Sequence, residues 1–409
     1  MFPISVRMCW YLFACFVLTT AEFTATGKEL TFSTDFESGA ADNLHLREDG
    51  VVAFSIPQDP AGKEYLWFYF KVMGAPDHPL EFVIENAADA HQTGDRWEIT
   101  RPVFSTDAVN WERAREARYI REFSLQHPLG QKVFRFRSPI AADTLYVAYC
   151  YPYSLQMLRG FLASVEAQSD GISSLGRTEE GREIPLLQIG PKNLQHPENA
   201  LEIWVICREH PGETPASFVL EGMVEALLNH PAGRHIADLY RCMFVPMLNL
   251  DGVVRGYYYR NTEGVNIARD WADFKAAETR ALKAAMAPSF RDKRVKLVIN
   301  LHASNDPRLG HFFLETPPSQ LFFHHAELQR NIFSAADRNH PQLQGRSPIR
   351  ILDLPGITGN ALLRDYDTYC LYLECNYSRG ADGSPVTQQS LRETGRALVQ
   401  ALAETLDGE

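Results

Sequence analysis

Short apolar runs separated by turn-forming residues dominate the sequence up to about residue 167. The clearest runs are residues 51–56, 80–84 and 144–149, and Gly, Pro and Asp lie between them. Because this part of the sequence lacks the three- and four-residue apolar spacing of a long amphipathic helix, the pattern is typical of strands joined by turns. It predicts an antiparallel β-sandwich for residues 27–167.

From residue 168 to residue 409 the pattern changes to strands that alternate with helices. Apolar runs that predict buried strands lie at residues 201–207, 295–301 and 369–373. Helical spacing of apolar residues occurs at residues 277–286, 321–339 and 391–406. The alternation predicts an α/β domain. The small, polar segment 169–176 is predicted to be a linker between the two domains.

Candidate metal ligands follow two of the predicted buried strands. His210 and Glu213 come after the first of these runs, and His302 ends the second. Binding sites of α/β proteins usually lie at the carboxyl ends of the strands. Two His and one Glu that leave a fourth position for water are typical of catalytic zinc, whereas closed structural sites are usually rich in Cys. A His-x-x-Glu pair alone also fits a surface turn, so the metal prediction rests on all three residues.

Glu374 follows the third predicted strand, where that strand should reach the same edge of the sheet. Its carboxylate has two explanations: it pairs with a neighbouring Arg such as Arg379, or it is the general base for a zinc-bound water. Asp251 likewise either orients a ligating His or stabilises its own turn. The pair His324-His325 is expected on an amphipathic helix without a catalytic role.

The sequence around these residues contains a set of motifs. They are His210-Pro-Gly-Glu-Thr, Asn249-Leu-Asp-Gly-Val, Gly264-Val-Asn-Ile-Ala-Arg-Asp-Trp, a strand ending Leu301-His and a late strand ending in Glu374. This arrangement resembles the zinc metallocarboxypeptidases of the carboxypeptidase A clan, in particular their cytosolic carboxypeptidase-like branch. Segments 32–39, 65–72, 111–113 and 152–154 are similar to the accessory domain that precedes the peptidase in that branch. The resemblance implies a mixed-sheet zinc carboxypeptidase domain at residues 168–409, preceded by the β-sandwich as accessory domain.

The resemblance also implies a site and a reaction. Zn²⁺ held by His210, Glu213 and His302 would lower the pKa of a bound water, and Glu374 would take the proton of that water during attack on a peptide carbonyl. The other implied roles are oxyanion stabilisation by Arg260 with help from Arg208, binding of the substrate carboxylate by Arg269, and an alternative cation for acidic side chains at Arg364. The expected substrates are the C-termini of peptides or proteins.

The sequence departs from the family pattern at three positions. Ala268 stands where the family has an Asn that helps to hold the substrate carboxylate, so only Arg269 remains there. Tyr259 stands where the spacing places the oxyanion Arg, and Arg260 comes one residue later. Asn360 stands where tubulin-processing relatives carry a basic residue, so a preference for acidic side chains is not carried over.

Three other functions remain open from the sequence. A zinc hydrolase of the same clan that removes an acyl group from an amino acid would use the same metal and base, and Ala268 keeps this function open. An amidase acting on γ-linked cell-wall peptides fits the same machinery, although no residue marks it. An inactive peptidase-like binding module is disfavoured because all three ligands and Glu374 are present.

The first 26 residues predict a signal peptide. Arg7 precedes an apolar run at residues 8–18 that is too short to span a bilayer, and small residues follow this run. A retained membrane anchor is the alternative. No later run reaches about 18 uninterrupted apolar residues, so we expect a secreted or periplasmic protein without stable membrane association once the signal is removed.

Charge and cysteine content refine these expectations. A net charge of -11 argues against binding of nucleic acid, because its phosphates would be repelled. The Cys residues outside the predicted signal show no Cys-x-x-Cys spacing and lie mostly in apolar runs. They are therefore predicted to be small hydrophobic residues without a metal or redox role.

Overall fold

A computed structural model of the protein describes residues 29–406 except 63, 124–126, 193–195, 197–198, 318–319 and 345–348. The predicted signal peptide at residues 1–26 lies outside the described residues. Among the helices of the described residues, none is both long enough and apolar enough to cross a membrane.

Short strands build the N-terminal part of the chain. They are β1 (Thr31–Ser33), β2 (Asp42–Leu46), β3 (Val52–Ser55), β4 (Tyr69–Met73), β5 (Glu81–Ile84), β6 (Val103–Ser105), β7 (Glu112–Arg113), β8 (Ala117–Glu122), β9 (Gln131–Arg137) and β10 (Thr144–Ala148). They form two five-stranded sheets, with the orders β1-β4-β10-β6-β7 and β2-β3-β5-β9-β8. The pairs are antiparallel, except that β3 and β5 run parallel. The predicted sandwich is confirmed, with two departures: this parallel pair, and an 11-residue helix at Leu155–Val165 inside the predicted bounds of the sandwich.

Aromatic rings from both sheets form the core of the sandwich. Phe54 on β3 and Phe70 on β4 are fully buried, and their ring centroids lie 4.8 Å apart. Such rings dominate core energetics because each buries a large apolar area. A short helix, α1 (Gly94–Ile99), connects β5 to β6. Its Trp97 is fully buried and donates its indole N–H to the carbonyl of Ala87 at 3.0 Å, which fixes the helix on the sandwich.

Strands and helices alternate in the rest of the chain, as predicted. The strands are β11 (Gly171–Arg177), β12 (Glu183–Ile189), β13 (Glu202–Cys207), β14 (Arg241–Val245), β15 (Val295–Ser304), β16 (His311–Leu314), β17 (Leu343–Gln344) and β18 (Cys370–Asn376). The helices are α2 (Leu155–Val165), α3 (Pro215–Asn229), α4 (Pro231–Leu239), α5 (Leu250–Arg255), α6 (Ala277–Arg291), α7 (Phe323–Asn339), α8 (Thr358–Tyr366) and α9 (Gln388–Leu406).

One eight-stranded sheet runs through this part, in the order β11-β12-β14-β13-β15-β18-β16-β17. The central strands β14, β13, β15 and β18 pair in parallel, whereas β11 with β12, β12 with β14 and β16 with β18 are antiparallel. The sheet is therefore mixed, and the predicted fold class is confirmed. Strand β13 is buried along its whole length, as expected for a central parallel strand covered on both faces.

The prediction of a linker at residues 169–176 is wrong, because most of this segment forms the edge strand β11. An edge strand pairs on one side only, so small and polar residues are tolerated there. The register shifts between Ser174 and Gly176, and a Cβ atom at Gly176 would lie 2.6 Å from the Cβ of Ala281 on α6. The Gly therefore marks a close approach between strand and helix.

The sandwich is in direct contact with the end of β18. Arg113 of β7 donates from its guanidinium to the carbonyl of Tyr377 at 2.7 Å and to the carbonyl of Val386 at 2.8 Å. The hydroxyl of Tyr151 donates to the same Val386 carbonyl at 3.2 Å. These bonds hold the N-terminal part beside the strand that carries Glu374.

Candidate metal centre and active site

Three central strands bring the predicted site residues to one edge of the sheet. Strand β13 ends at Cys207, and Arg208 turns the chain with a positive φ of 60° before His210 and Glu213. His302 lies near the end of β15, and its register partner on β18 is Glu374. Because parallel strands fix this register, His302 and Glu374 emerge side by side.

His210, Glu213 and His302 converge on one point. The Nδ1 atoms of both His residues lie 2.9 Å from an oxygen of the Glu213 carboxylate, and they lie 3.2 Å from each other. The ligand atoms of the three side chains all lie within 4.8 Å of one another, and all three residues are buried. Two imidazoles and one carboxylate that leave a position open form a donor set that fits catalytic Zn²⁺.

The outer ring nitrogens of both His residues have oxygen partners. His210 Nε2 lies 3.2 Å from Oδ1 of Asn266, and His302 Nε2 lies 3.2 Å from Oε2 of Glu209. If each Nε2–H donates to its oxygen, the lone pair of each Nδ1 faces the point where the three side chains converge. A metal-binding His usually has such an acceptor on its other ring nitrogen. Glu209 and Asn266 were missed in the sequence, although Asn266 lies within a motif that carries the resemblance and Glu209 directly precedes another.

Glu209 is itself held by two donors. It is fully buried, and it accepts hydrogen bonds from Nδ2 of Asn300 at 2.7 Å and from the hydroxyl of Thr358 at 2.9 Å. Burial works against its charge, but the hydrogen bond and the charge of His302 outweigh burial and lower the pKa of Glu209. A charged acceptor therefore orients His302.

Asp251 does not orient a ligating His. Its carboxylate accepts from the hydroxyl of Thr178 at 2.8 Å, from the backbone N–H of Glu180 at 2.8 Å and from the guanidinium of Arg182 at 2.6 Å. Of its two explanations, stabilisation of local structure is the one that these contacts support.

The charges of the three converging side chains are coupled. Burial works to raise the pKa of Glu213, but the adjacent His210 and His302 outweigh burial and lower this pKa to about 2. Burial works to lower the pKa of His302, yet Glu213 and Glu209 leave that pKa well above its usual value. The carboxylate of Glu213 is therefore ionised and available to a cation at neutral pH.

A cavity of about 150 Å³ opens beside the three converging residues. Its lining residues are Leu66, His91, Gln92, Arg96, His210, Glu213, Tyr258, Tyr259, His302, Ala303, Ser304, Asn305 and Glu374. The carboxylate of Glu374 makes no hydrogen bond to any described residue, and Arg379, its proposed partner, instead donates to the carbonyl of Pro307 at 3.4 Å. Desolvation, and secondarily the negative charge of Glu213, raises the pKa of Glu374 to about 7.

The structure does not support the expected help of Arg208 in oxyanion stabilisation. Its guanidinium is buried and donates to the carbonyls of Pro211 and Tyr153 and to the hydroxyl of Ser217. These bonds fix the turn that carries the metal ligands. Arg208 is not among the residues that line the cavity, so it supports the site without facing a substrate.

The expectation for Arg260 also requires correction. Its guanidinium makes an ion pair with Glu64 of the N-terminal part at 2.9 Å and donates to the carbonyl of Gly264 at 2.9 Å. Tyr259 lines the cavity in its place, and its ring stacks on the ring of His210 with centroids 3.8 Å apart. The oxyanion role of Arg260 is therefore not supported by the direction of its side chain.

Two further cations lie outside the cavity lining. Arg269 is exposed on a 3₁₀ turn (Ile267–Arg269), and its side chain makes no hydrogen bond or ion pair with a described residue. Its charge nevertheless lowers the pKa of Tyr259 against a larger effect of burial, so it is near the cleft. Arg364 is exposed and pairs with Asp365 at 2.6 Å. The substrate role of each remains a prediction.

The N-terminal part contributes directly to the cavity. Leu66, His91, Gln92 and Arg96 belong to its lining, and the ring of His91 lies 5.3 Å from the ring of Tyr259. None of the site residues predicted from the sequence lies in this part. No local signal marks these residues, because they reach the cavity through contacts between distant parts of the chain.

Comparisons with known proteins agree with the geometry. Residues 32–150 match the cytosolic carboxypeptidase N-terminal domain, and residues 160–306 match the zinc carboxypeptidase family. An uncharacterised protein of Zymomonas mobilis is 32% identical over 294 residues, which cover 70% of this chain and 70% of that protein. Mouse cytosolic carboxypeptidase 6 is 26% identical over 402 residues, which cover 92% of this chain and 73% of the relative.

The fold also has a counterpart among crystal structures. The metallo-carboxypeptidase from Burkholderia cenocepacia superimposes with a TM-score of 0.80 at 22% identity, covering 93% of this chain and 99% of that chain. At this identity the likeness concerns the fold alone. The family matches and the relatives show that the chain belongs to the zinc carboxypeptidase family and is a peptidase whose catalytic domain follows an N-terminal domain of the cytosolic carboxypeptidase type.

Proposed function

We propose that the chain is a zinc-dependent carboxypeptidase that hydrolyses the last peptide bond of peptides or proteins. The observation that carries the proposal is the convergence of His210, Glu213 and His302 beside Glu374, whose carboxylate has no hydrogen-bond partner among the described residues. When bound to the three ligands, Zn²⁺ supplies Lewis-acid chemistry that makes a water acidic near neutral pH.

The protein side chains then handle the protons and the substrate. Glu374 takes a proton from the attacking water and returns it to the departing amine nitrogen, as a general base and then a general acid. Arg269 pairs with the C-terminal carboxylate of the substrate. Ala268 offers no second hydrogen bond to this carboxylate. The free energy of substrate binding is therefore about 1.5–3 kcal/mol less favourable than at a site with an Asn.

A second candidate function uses the same machinery. Removal of an acyl group from an amino acid would need the same three ligands and Glu374 but a different pocket, and the departure from the family pattern at Ala268 keeps this function open. Peptides with a free C-terminus, the same peptides with a C-terminal amide, and N-acyl amino acids should therefore be compared by mass spectrometry.

We expect single-residue trimming of the free peptides, little turnover of the amides, and no turnover by Glu374→Gln. Faster turnover of the N-acyl amino acids would favour the deacylase. Internal cleavage of peptides would contradict both. Absence of turnover with any substrate would support a binding module, which the presence of all four site residues disfavours.

Export is proposed for the cellular location. Support comes from Arg7 followed by the apolar run at residues 8–18. Expression of the full chain in a bacterium should yield protein in the periplasm or medium with a new N-terminus near residue 27. Retention of the full-length chain in the membrane fraction would favour an uncleaved anchor.

A further inference from the structure

Arg96 carries an unpaired positive charge into the catalytic cavity. It belongs to α1 of the sandwich, and its half-buried side chain is the one Lys or Arg among the cavity-lining residues in the described part of the chain. Its guanidinium makes no hydrogen bond or ion pair with any described residue. A half-buried guanidinium in the wall of a cavity, without a partner among the described residues, is available to an anionic ligand.

The nearby carboxylates do not explain this cation. Asp306, whose pKa Arg96 lowers, is already engaged by both ends of the Arg308 guanidinium, at 2.8 and 3.1 Å. The charge of Arg96 acts to lower the pKa of Glu374, but the two side chains make no hydrogen bond with each other.

The fold does not need this guanidinium either. Helix α1 is anchored through Trp97, and the backbone carbonyl of Arg96 accepts from the hydroxyl of Thr100 at 2.9 Å. The charged end of Arg96 is therefore free for a substrate.

The reaction creates a negative charge in this cavity that a donor beyond the three metal-binding residues would help to stabilise. The water oxygen bonds to the scissile carbon, the π electrons of the carbonyl move onto its oxygen, and Glu374 receives the water proton. That oxygen then carries negative charge in a cavity that already holds the carboxylate of Glu213, while Glu374 is protonated. Arg260 is held by Glu64, and the phenol of Tyr259 is uncharged, so neither brings a positive charge to that oxygen.

We propose that Arg96 donates to the scissile carbonyl oxygen as it gains negative charge, so that the N-terminal domain completes the active site of the catalytic domain. The inference rests on the proposed function. When the tetrahedral species collapses, the C–N bond breaks, the electron pair returns to re-form the carbonyl, and the proton on Glu374 goes to the amine. The charge on Arg96 is unchanged throughout.

The test compares Arg96→Gln, Arg96→Lys and the matched control Arg101→Gln. Arg101 lies just beyond the same helix, but its guanidinium donates to the carbonyls of Glu98 and Thr100 and does not line the cavity. Arg96→Gln should lower kcat about 100- to 1000-fold, as loss of an oxyanion donor does, with KM, zinc content and unfolding midpoint nearly unchanged. Arg96→Lys should recover part of kcat, and Arg101→Gln should keep it.

Binding provides a readout that does not depend on turnover. A phosphonate peptide, whose anionic oxygens imitate the tetrahedral species, should bind Arg96→Gln about 100- to 1000-fold more weakly in calorimetry. Unchanged phosphonate affinity and kcat in Arg96→Gln would overturn the inference while leaving the proposed function intact. A rise in KM confined to peptides with acidic residues would overturn it in favour of side-chain recognition, and absence of turnover by the wild type would overturn both.

Discussion

Asp59 of the sandwich holds the loop that places Tyr259 over the metal ligands, and its substitution tests whether the two domains form one active site. Its carboxylate accepts backbone N–H bonds from Tyr258 at 2.8 Å, from Tyr259 at 2.5 Å and from Arg260 at 2.9 Å. In Asp59→Asn one carboxylate oxygen becomes an NH₂ group, which cannot accept a hydrogen bond from a backbone donor. At least one of the three N–H groups then loses its acceptor, and two lose it if the NH₂ replaces the shared oxygen.

The size of the effect follows from these bonds. A hydrogen bond to a charged group contributes about 1.5–3 kcal/mol, so loss of two bonds costs about 3–6 kcal/mol. Burial raises the pKa of Asp59 despite the bonds, so its carboxylate bears a desolvation cost that the neutral amide avoids. We therefore expect a net cost of about 2–4 kcal/mol. This cost is below the roughly 5–15 kcal/mol stability of a typical protein, so the variant folds with a loosened loop.

The assay is kcat/KM for peptide trimming, measured well below the unfolding midpoint. Because small misplacements near reacting groups are costly, Asp59→Asn should lower kcat/KM by about tenfold to a hundredfold without loss of zinc. Asp107→Asn is the matched control, since Asp107 also accepts two backbone N–H bonds, from Val109 and Asn110 at 2.8 Å, but on an exposed turn away from the cavity. It should lower the unfolding midpoint and leave kcat/KM intact. Wild-type kcat/KM in Asp59→Asn would refute the reasoning.

Two further outcomes test other parts of the account. Glu209→Gln replaces the charged acceptor of His302 Nε2–H, so the dissociation constant for zinc should rise about tenfold to a hundredfold. Competition with a chromogenic chelator measures this constant. An unchanged value would show that Glu209 does not support the metal site. Glu278 is fully buried, and desolvation raises its pKa to about 7. Because the pKa of Glu278 is higher in the folded state than in the unfolded state, the protonated side chain stabilises the fold. This contribution to the free energy of unfolding is about 3 kcal/mol; it is fully present below pH 4.5 and is lost as pH rises through about 7. Between pH 5 and pH 8, urea unfolding should show a loss of stability that is about 2.5 kcal/mol larger in the wild type than in Glu278→Gln. Equal pH dependence in both proteins would contradict this prediction.

The sequence predicts well what depends on local pattern. Continuous apolar runs identify β13, β15 and β18, and a residue at the end of a central parallel strand can only emerge at one edge of the sheet. For this reason His302 and Glu374 could be placed beside His210 and Glu213 before any coordinates. The segment 169–176 shows the limit, because an edge strand needs few apolar residues and its composition is close to that of a loop.

The direction of a long side chain depends on residues far away in the chain. Arg260 was assigned to the oxyanion by the family resemblance with a shift of one residue, but Glu64, which lies 196 residues earlier, holds its guanidinium. No sequence motif predicts that Arg96 lines the cavity. Its position depends on how α1 packs on the sandwich and how the sandwich contacts β18. Tertiary contacts of this kind leave no periodic or compositional signal in a single sequence.

We propose that one metal ion, held by His210, Glu213 and His302, takes part in hydrolysis with Glu374 as the general base. The most direct measurement titrates metal-free protein with Zn²⁺ while following loss of single C-terminal residues from a peptide by mass spectrometry. We predict that trimming rises to a plateau at one bound zinc per chain, that His302→Ala does not reach it, and that Glu374→Gln binds zinc without trimming. Trimming by the metal-free protein, or undiminished trimming by Glu374→Gln, would contradict the account.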